Sequence, residues 1–377
     1  MRQLTTIDIK DFPLWEKMKE HRRLFSFDLE ITARCNNHCH HCYINLPSGD
    51  REARAKELTA QEINDIADQS VALGAVWVLI SGGEPLLRDD FEEIYLLLKR
   101  KGLLVSVYTN ATLIRDEHIA LFKKYPPLNI EVTIYGVTKE TYERVSGRPG
   151  SYDAFMRGLN LLLEGGIKVR LKAMALRSNF HELPAMAAFG RYYTKDYFRF
   201  DFQLHFRFDR NEARNLDIKS ERLTPDEIVA LERGDDERFP VLVEGCNELI
   251  NEEFSHVGCD HLFHCGLGNG GFNVSYDGKF RLCHSLWAAG TIYDLRQGTV
   301  REAWEKFVPK VRDMRSRRAE YLEKCRRCSI VNLCLWCPAH SDLETGELDS
   351  PIEYFCQVAH ARSAAIQEAD AARQEQA

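Results

Sequence analysis

Three cysteines stand within eight residues in the run Cys35-Asn36-Asn37-His38-Cys39-His40-His41-Cys42, spaced C-x3-C-x2-C. Closely spaced soft thiolates bind iron–sulfur clusters or zinc. A cubane cluster has four irons, so three cysteines leave one iron without a protein ligand. An open coordination position is a property of catalytic metal sites rather than structural ones. The alternative is a zinc knuckle, with His38, His40 or His41 as fourth ligand. No cysteine follows Cys42 until Cys246, and nine then lie between Cys246 and Cys356. Such clustering points to metal.

The chain has 377 residues, long enough for two or three domains, with 44% hydrophobic and 28% charged residues. The net charge of −7 provides no basic footprint for nucleic acid. No segment has the apolar core of a signal peptide or the length of a membrane span. A cytoplasmic, reducing location is therefore expected, where twelve cysteines do not read as disulfides.

Residues 1–24 read as a lead-in, and Phe25 to Thr32 alternates apolar and polar residues as a strand does, delivering Cys35 onto the next loop. Thr59 and Glu62 form a capping-box pattern that opens a helix to about Gly74. The apolar run Val76 to Ile80 reads as a strand buried on both faces, ending at Ser81-Gly82-Gly83-Glu84-Pro85. Further strands are expected at 103–109, 130–135, 167–175 and 197–206, with helices at 90–100, 115–124, 152–164 and 181–194. Six alternations of this kind argue for parallel strands with crossover helices, fewer than the eight of a closed barrel. Residues 25–206 would form this core. Residues 207–245 are charge-rich and read as a linker holding one short helix opened by Thr224. A cysteine-rich unit over 246–360 and a tail over 361–377 follow.

Catalytic groups of parallel barrels gather at the carboxyl ends of the strands. Here those ends carry the cysteine loop, Gly82-Gly83-Glu84-Pro85, Asn110 and Thr133. A Gly-Gly-Glu-Pro alone is a turn, but one strand after C-x3-C-x2-C it completes a pattern. Together these motifs resemble the radical S-adenosylmethionine (SAM) enzymes. The resemblance implies an open, partial (β/α)6 barrel of TIM type. It also implies a 4Fe–4S cluster on Cys35, Cys39 and Cys42, whose open iron takes the amino and carboxylate groups of SAM. Reductive cleavage then yields a 5′-deoxyadenosyl radical that abstracts a substrate hydrogen. His41 stands where the family usually carries an aromatic residue. By the same resemblance Gly82, Gly83, Glu84 and Pro85 hold the methionyl amino group, Asn110 and Thr133 contact the ribose or carboxylate, and Arg144 pairs with the carboxylate. Lys168, Arg170 and Lys172 share one face of their strand, either reaching into the cleft or lining a solvated edge.

The later cysteines resemble the SPASM extension of these enzymes, which carries two auxiliary 4Fe–4S clusters. The implied ligand sets are Cys259, Cys265, Cys283 and Cys337 for the first, and Cys325, Cys328, Cys334 and Cys356 for the second. The pair Cys334 and Cys337 is one residue closer than the family's usual spacing. A zinc ribbon is the rival reading of the C-x2-C pairs. Cys246 is left over, a small buried hydrophobe by default.

Fully protein-ligated auxiliary clusters would carry electrons away from a substrate radical, which tilts the reading towards net oxidation. The resemblance implies an enzyme that forms a crosslink, thioether or carbonyl on a side chain of a ribosomally made peptide or a protein. Formylglycine formation of the sulfatase-maturase kind, an amino-sugar dehydrogenase or epimerase, and a non-catalytic zinc module are the alternatives. His284 follows Cys283 where the sulfatase maturases carry an aspartate thought to act as base, and an imidazole takes protons near neutral pH. Only 34 residues precede Cys35, too few for a leader-recognition domain, so a leader peptide would need a separate leader-peptide-binding protein, or the substrate is recognised differently; flavodoxin or ferredoxin is the expected electron donor.

Overall fold

The first strand, β1 (Ser26–Thr32), buries Phe27, Leu29 and Ile31 on one face and turns Asp28 and Glu30 to the other. This period-two division makes it the seam of the molecule. The computed structural model describes residues 23–194, 198–250, 259–266 and 268–375; residues 1–22 of the expected lead-in lie outside them.

Strands β2 (Trp77–Gly82), β3 (Leu104–Thr109), β4 (Asn129–Thr133), β5 (Val169–Met174) and β6 (Arg199–Asp201) follow β1 in spatial order, each parallel to the last. Helices Ala60–Ala72, Phe91–Arg100, Asp116–Lys124, Ser151–Glu164 and Leu183–Thr194 cross between them. This is the α/β alternation expected of a partial barrel. The Thr59 capping box forms, with the Thr59 hydroxyl accepting from the Glu62 N–H (3.2 Å) and the Glu62 carboxylate from the Thr59 N–H (2.8 Å). Such a cap stabilises a helix start by about 1 kcal/mol.

Three local expectations are corrected. Residues 76–80 are not buried on both faces, since Trp77 and Leu79 are half-buried and Val76 is exposed. The barrel is open, so the inner face of β2 meets a cleft rather than a filled lumen. The aromatic strand at 197–206 is paired only over Arg199–Asp201, because its partner β5 ends at Met174. Tyr197 lies outside the described residues. Finally, residues 207–245 hold three helices, Glu212–Ser220, Pro225–Arg233 and Arg238–Glu244, where one was expected. A further helix, Lys139–Ser146, capped by Thr138 and ended by Gly147 in the left-handed region, precedes the one expected at 152–164.

The cysteine-rich region is joined to the same sheet. Strand β7 (Gly271–Val274) pairs parallel with β1, and β8 (Lys279–Arg281) and β9 (Tyr293–Asp294) extend the edge antiparallel. One buried hydrophobic cluster runs from Leu24 to Val358 across both regions. Cys246 is buried with Ile330, Leu333, Ala359 and Ile366 in a smaller cluster, as its default reading expects. Helix Glu353–Glu375 crosses the position 360 at which a boundary was drawn. Among the described residues, no helix is long and apolar enough to cross a membrane.

Candidate active site

The three cysteines lie on the loop after β1, where the β1–β2 register shifts between Glu30 and Thr32. Cys35, Cys39 and Cys42 all border one cavity of roughly 360 Å³ at the carboxyl ends of the strands. Burial, reinforced by the neighbouring thiol of Cys42, pushes the Cys39 thiol up to about 12. Burial and the Cys39 charge likewise hold Cys35 well above the usual thiol range. Thiols in such a place ionise only against a bound cation, which is the condition for metal ligation.

Gly82 and Gly83 reach this cavity by packing onto the loop itself. A Cβ on Gly82, at φ 139°, would stand 2.1 Å from the Thr32 carbonyl oxygen, and one on Gly83 would stand 2.2 Å from that of Arg34. The Gly83 N–H donates to Thr32 O (2.7 Å) and the Glu84 N–H to Arg34 O (2.9 Å). The glycines are thus required by the approach of β2 to the base of the cysteine loop. Replacing Gly83 by alanine is expected to displace the loop, at about 1–3 kcal/mol of overpacking, and to lower the metal the loop retains. Metal analysis and thermal unfolding of Gly83→Ala check this, and full metal content at unchanged stability would contradict it.

Of the other expected cofactor residues, His41, Asn110 and Thr133 line the cavity. The Asn110 amide donates to Asn36 Oδ1 (2.9 Å) and lies 3.8 Å from Cys35 Sγ. His41 is neutral, its pKa lowered to about 4 by burial, and its buried Nδ1 lacks a hydrogen-bond partner, as do Ser81 Oγ and the Asn37 amide. Orphaned polar atoms around three thiols fit a site built for a polar, metal-bound ligand.

Glu84, Pro85 and Arg144 do not line this cavity. Glu84 is fully buried, and its carboxylate accepts from the Thr109 hydroxyl (2.7 Å) and from the N–H groups of Asn110 (2.8 Å) and Leu86 (3.1 Å). Burial outweighs those donors and raises its pKa to about 7. Glu84 therefore ties β2 to β3 and positions Asn110. Pro85 is buried at the start of a 3-10 turn. Arg144 is exposed on its helix and donates to Thr141 Oγ1 and the Ser178 carbonyl, each at 3.1 Å.

His284, expected as a base, lines the cavity. Its Nδ1 meets Glu30 (2.8 Å) and its Nε2 meets Asp28 (3.0 Å). Burial works against charging the ring, yet the hydrogen bonds and charges of Asp28 and Glu30 prevail and raise its pKa to about 9. Both ring nitrogens thus face carboxylates, and the Asn273 amide also lies 3.1 Å from Nδ1. The polar groups that do face the cavity include three that sequence reading did not single out, Tyr43, Asp201 and His205. Burial keeps His205 neutral, near 4, and its Nδ1 contacts Ser285 Oγ (2.8 Å) and His340 Nε2. The alternation of Gln203 and His205 with Phe202, Leu204 and Phe206 was the available signal. Lys172 reaches the cavity, pairs with Glu131 (3.0 Å) and lies over the Tyr108 ring, whereas Arg170 is exposed.

The later thiols sort by space rather than by sequence. Cys325, Cys328, Cys334 and Cys356 border one cavity of roughly 880 Å³. Cys337, three residues after Cys334, instead stands among Cys283 and Cys265. Burial and those two neighbours raise its thiol to about 12. Cys259 lies 3.2 Å from His261 Nδ1. Among the described residues no three Cys, His, Asp or Glu side chains converge on one point. Thiols spread around a cavity suit a cluster that allots each thiolate its own iron.

Comparison with known proteins agrees with this geometry. A model of the radical SAM superfamily matches residues 29–189. The Fe-coproporphyrin III synthase of Methanosarcina barkeri is 32% identical over 177 residues, covering 45% of this chain and 43% of that relative, less than half its length. The antilisterial bacteriocin subtilosin biosynthesis protein AlbA of Bacillus subtilis is 28% identical over 282 residues, covering 69% of this chain and 60% of AlbA. The structure of Streptococcus suis SuiB bound to precursor peptide SuiA shares the fold, with a TM-score of 0.67 at 16% identity over 91% of this chain and 78% of SuiB. Residues 29–189 therefore carry a radical SAM domain, and relatives with enzymatic names support an enzyme.

Proposed function

We propose that this enzyme oxidatively modifies a side chain of a peptide or protein. The observation that carries the reading is the cavity, bordered both by Cys35, Cys39 and Cys42 and by His284 and Ser285, the residues directly after Cys283. A substrate held there meets both the radical-generating loop and the start of an auxiliary ligand set. A 4Fe–4S cluster on the loop, with SAM, supplies a hydrogen-abstracting radical. This chain's residues provide the remainder. Asn110 and Thr133 line the cofactor side, Gly82 and Gly83 seat the loop, and Tyr43, Lys172, Asp201 and His205 present hydrogen-bonding groups to a substrate. AlbA, named for bacteriocin biosynthesis, and SuiB, bound to its precursor peptide, support a peptide substrate. Two auxiliary clusters, a reducing flavodoxin or ferredoxin and a separate leader-binding protein belong to the same proposal. A formylglycine reaction that relies on His284 as base is disfavoured by the two carboxylates that hold its ring.

A second reading, with an iron-coproporphyrin product, is favoured by the 32% identity to the archaeal synthase. The test is anaerobic reconstitution, with iron, sulfide and zinc counted per chain, then incubation with SAM, dithionite and either candidate precursor peptides or a tetrapyrrole. About twelve irons, 5′-deoxyadenosine release and a mass change on peptide are expected. About eight irons would mean that the close Cys334–Cys337 spacing costs one auxiliary cluster. Turnover of the tetrapyrrole alone supports the second reading. Zinc without SAM cleavage would sink both.

A further inference from the structure

Two arginines from residues 207–245 close on the back of the three-cysteine loop. Arg207 Nη1 donates to the carbonyls of Cys42 (3.2 Å) and Asn45 (3.3 Å) and to Asn45 Oδ1 (2.9 Å). Arg214, on helix Glu212–Ser220, donates through Nη2 to the Cys39 carbonyl (2.9 Å) and to Asn45 Oδ1 (3.3 Å), while its Nη1 meets His38 Nε2 (3.2 Å). The Asn45 amide donates to the same Cys39 carbonyl (3.3 Å). The carbonyls of two of the three ligand cysteines are therefore held from behind by guanidinium groups.

The two charges differ in their surroundings. Arg207 is buried and faces Asp209 squarely, through Nε (2.9 Å) and Nη2 (2.6 Å), so its charge is largely cancelled on the spot. The nearest carboxylate to Arg214 is Asp217, 3.8 Å away and half exposed, and the buried Arg214 Nε has no hydrogen-bond partner. Arg214 thus places a weakly compensated cation against the backbone of Cys39, a buried residue. Adding an electron to a metal group adds negative charge, and a nearby cation in a poorly solvated site stabilises that charge.

We propose that Arg207 and Arg214 form a positioning clamp on the three-cysteine loop, and that the Arg214 charge makes the cluster held there easier to reduce. This rests on the radical SAM assignment of Cys35, Cys39 and Cys42. The clamp itself is read from this chain's hydrogen bonds. Arg207 fixes the shape of the loop between Cys42 and Asn45, and Arg214 sets its potential.

The test is an EPR-monitored redox titration of the anaerobically reconstituted full-length protein, following the reduced signal that changes when SAM is added. Arg214→Gln is expected to keep that signal but move its midpoint to a more negative potential. Arg214→Lys, which retains the charge, should stay near wild type. Arg207→Gln should leave the midpoint in place and release the loop's iron to a chelator several-fold faster. Asp217→Asn, a surface change that leaves both arginines in place, should move the midpoint to a less negative potential, and it decides the matter if Arg214→Gln does not fold. Unchanged midpoints in Arg214→Gln and Asp217→Asn overturn the proposal. A wild-type protein without any SAM-sensitive signal instead overturns the cluster assignment on which it rests.

Discussion

A chain in which Cys35, Cys39 and Cys42 are all alanine is expected to keep about eight of about twelve irons and to release no 5′-deoxyadenosine above background. The loop's thiols have their own cavity, distinct from the one bordered by Cys325, Cys328, Cys334 and Cys356. Loss of the first set therefore leaves the second intact. The fold should survive, because β1 is held by β2 and β7 along its length and by Phe27, Leu29 and Ile31 in the core, none of which the substitutions touch. The reciprocal variant, with Cys325 and Cys328 as alanine, is expected to lose about four irons and keep SAM cleavage, while losing the modified product. Iron analysis and chromatography of the nucleoside products measure both. Residual SAM cleavage in the triple variant would place the radical-generating site elsewhere.

Replacing Arg281 by methionine is expected to cost about 3–5 kcal/mol of stability, because it leaves a fully buried carboxylate without its main countercharge. Arg281 and Glu30 are both completely buried and 2.5 Å apart, and the Arg281 guanidinium also donates to the His284 carbonyl (2.6 Å) and stacks on Trp287. This pair joins β8 of the cysteine-rich region to β1. Its loss loosens the wall that both regions contribute to the cavity. The double variant Glu30→Gln, Arg281→Met should recover part of the loss, since no unpaired charge then remains.

The pH response follows from the same groups. Burial opposes the charge on Glu30, but Arg281 and His284 overcome it and hold its pKa below the ordinary 4.5. Its contribution is present above that value and is lost as pH falls through the depressed pKa. His284 is raised from 6.5 to about 9, so its contribution is complete below pH 6.5 and is lost as pH rises through 9. Wild type should therefore be most stable between these limits. Arg281→Met should shift towards acid, where Glu30 becomes neutral. Urea unfolding under anaerobic conditions at several pH values measures both effects. A methionine variant as stable as wild type at pH 7 would show that the pair contributes little net energy.

Much of the chemistry was legible locally. The Cys35–Cys42 spacing, Gly82 and Gly83 after the second strand, and the strand–helix periodicity are patterns within short windows, and backbone geometry converts such windows directly into elements. The Thr59 and Thr224 capping boxes were readable for the same reason, each requiring only residues three apart. Helix Lys139–Ser146 was missed although its Thr138 cap and Gly147 stop are of the same local kind.

Residue types, spacing and period by themselves marked a thiolate metal site, the parallel strand–helix alternation and the place of the cysteine loop at its carboxyl edge, while the iron–sulfur group and the open barrel came with the radical SAM resemblance. Tertiary structure alone decided what each side chain faces. Arg207 and Arg214 meet the carbonyls of Cys42 and Cys39 across 165 and 175 positions of chain, and His284 meets Asp28 and Glu30 across 256 and 254. Cys334 and Cys337, three residues apart, have different thiol neighbours, as the resemblance implied, and Cys337 caps the helix Pro338–Thr345. Glu84 accepts from the Thr109 hydroxyl and the Asn110 N–H once β3 lies beside β2. Local periodicity fixes which face a residue takes on its own element. The partner on the other side of that face depends on how whole elements pack, and that information is not held in any short window of sequence.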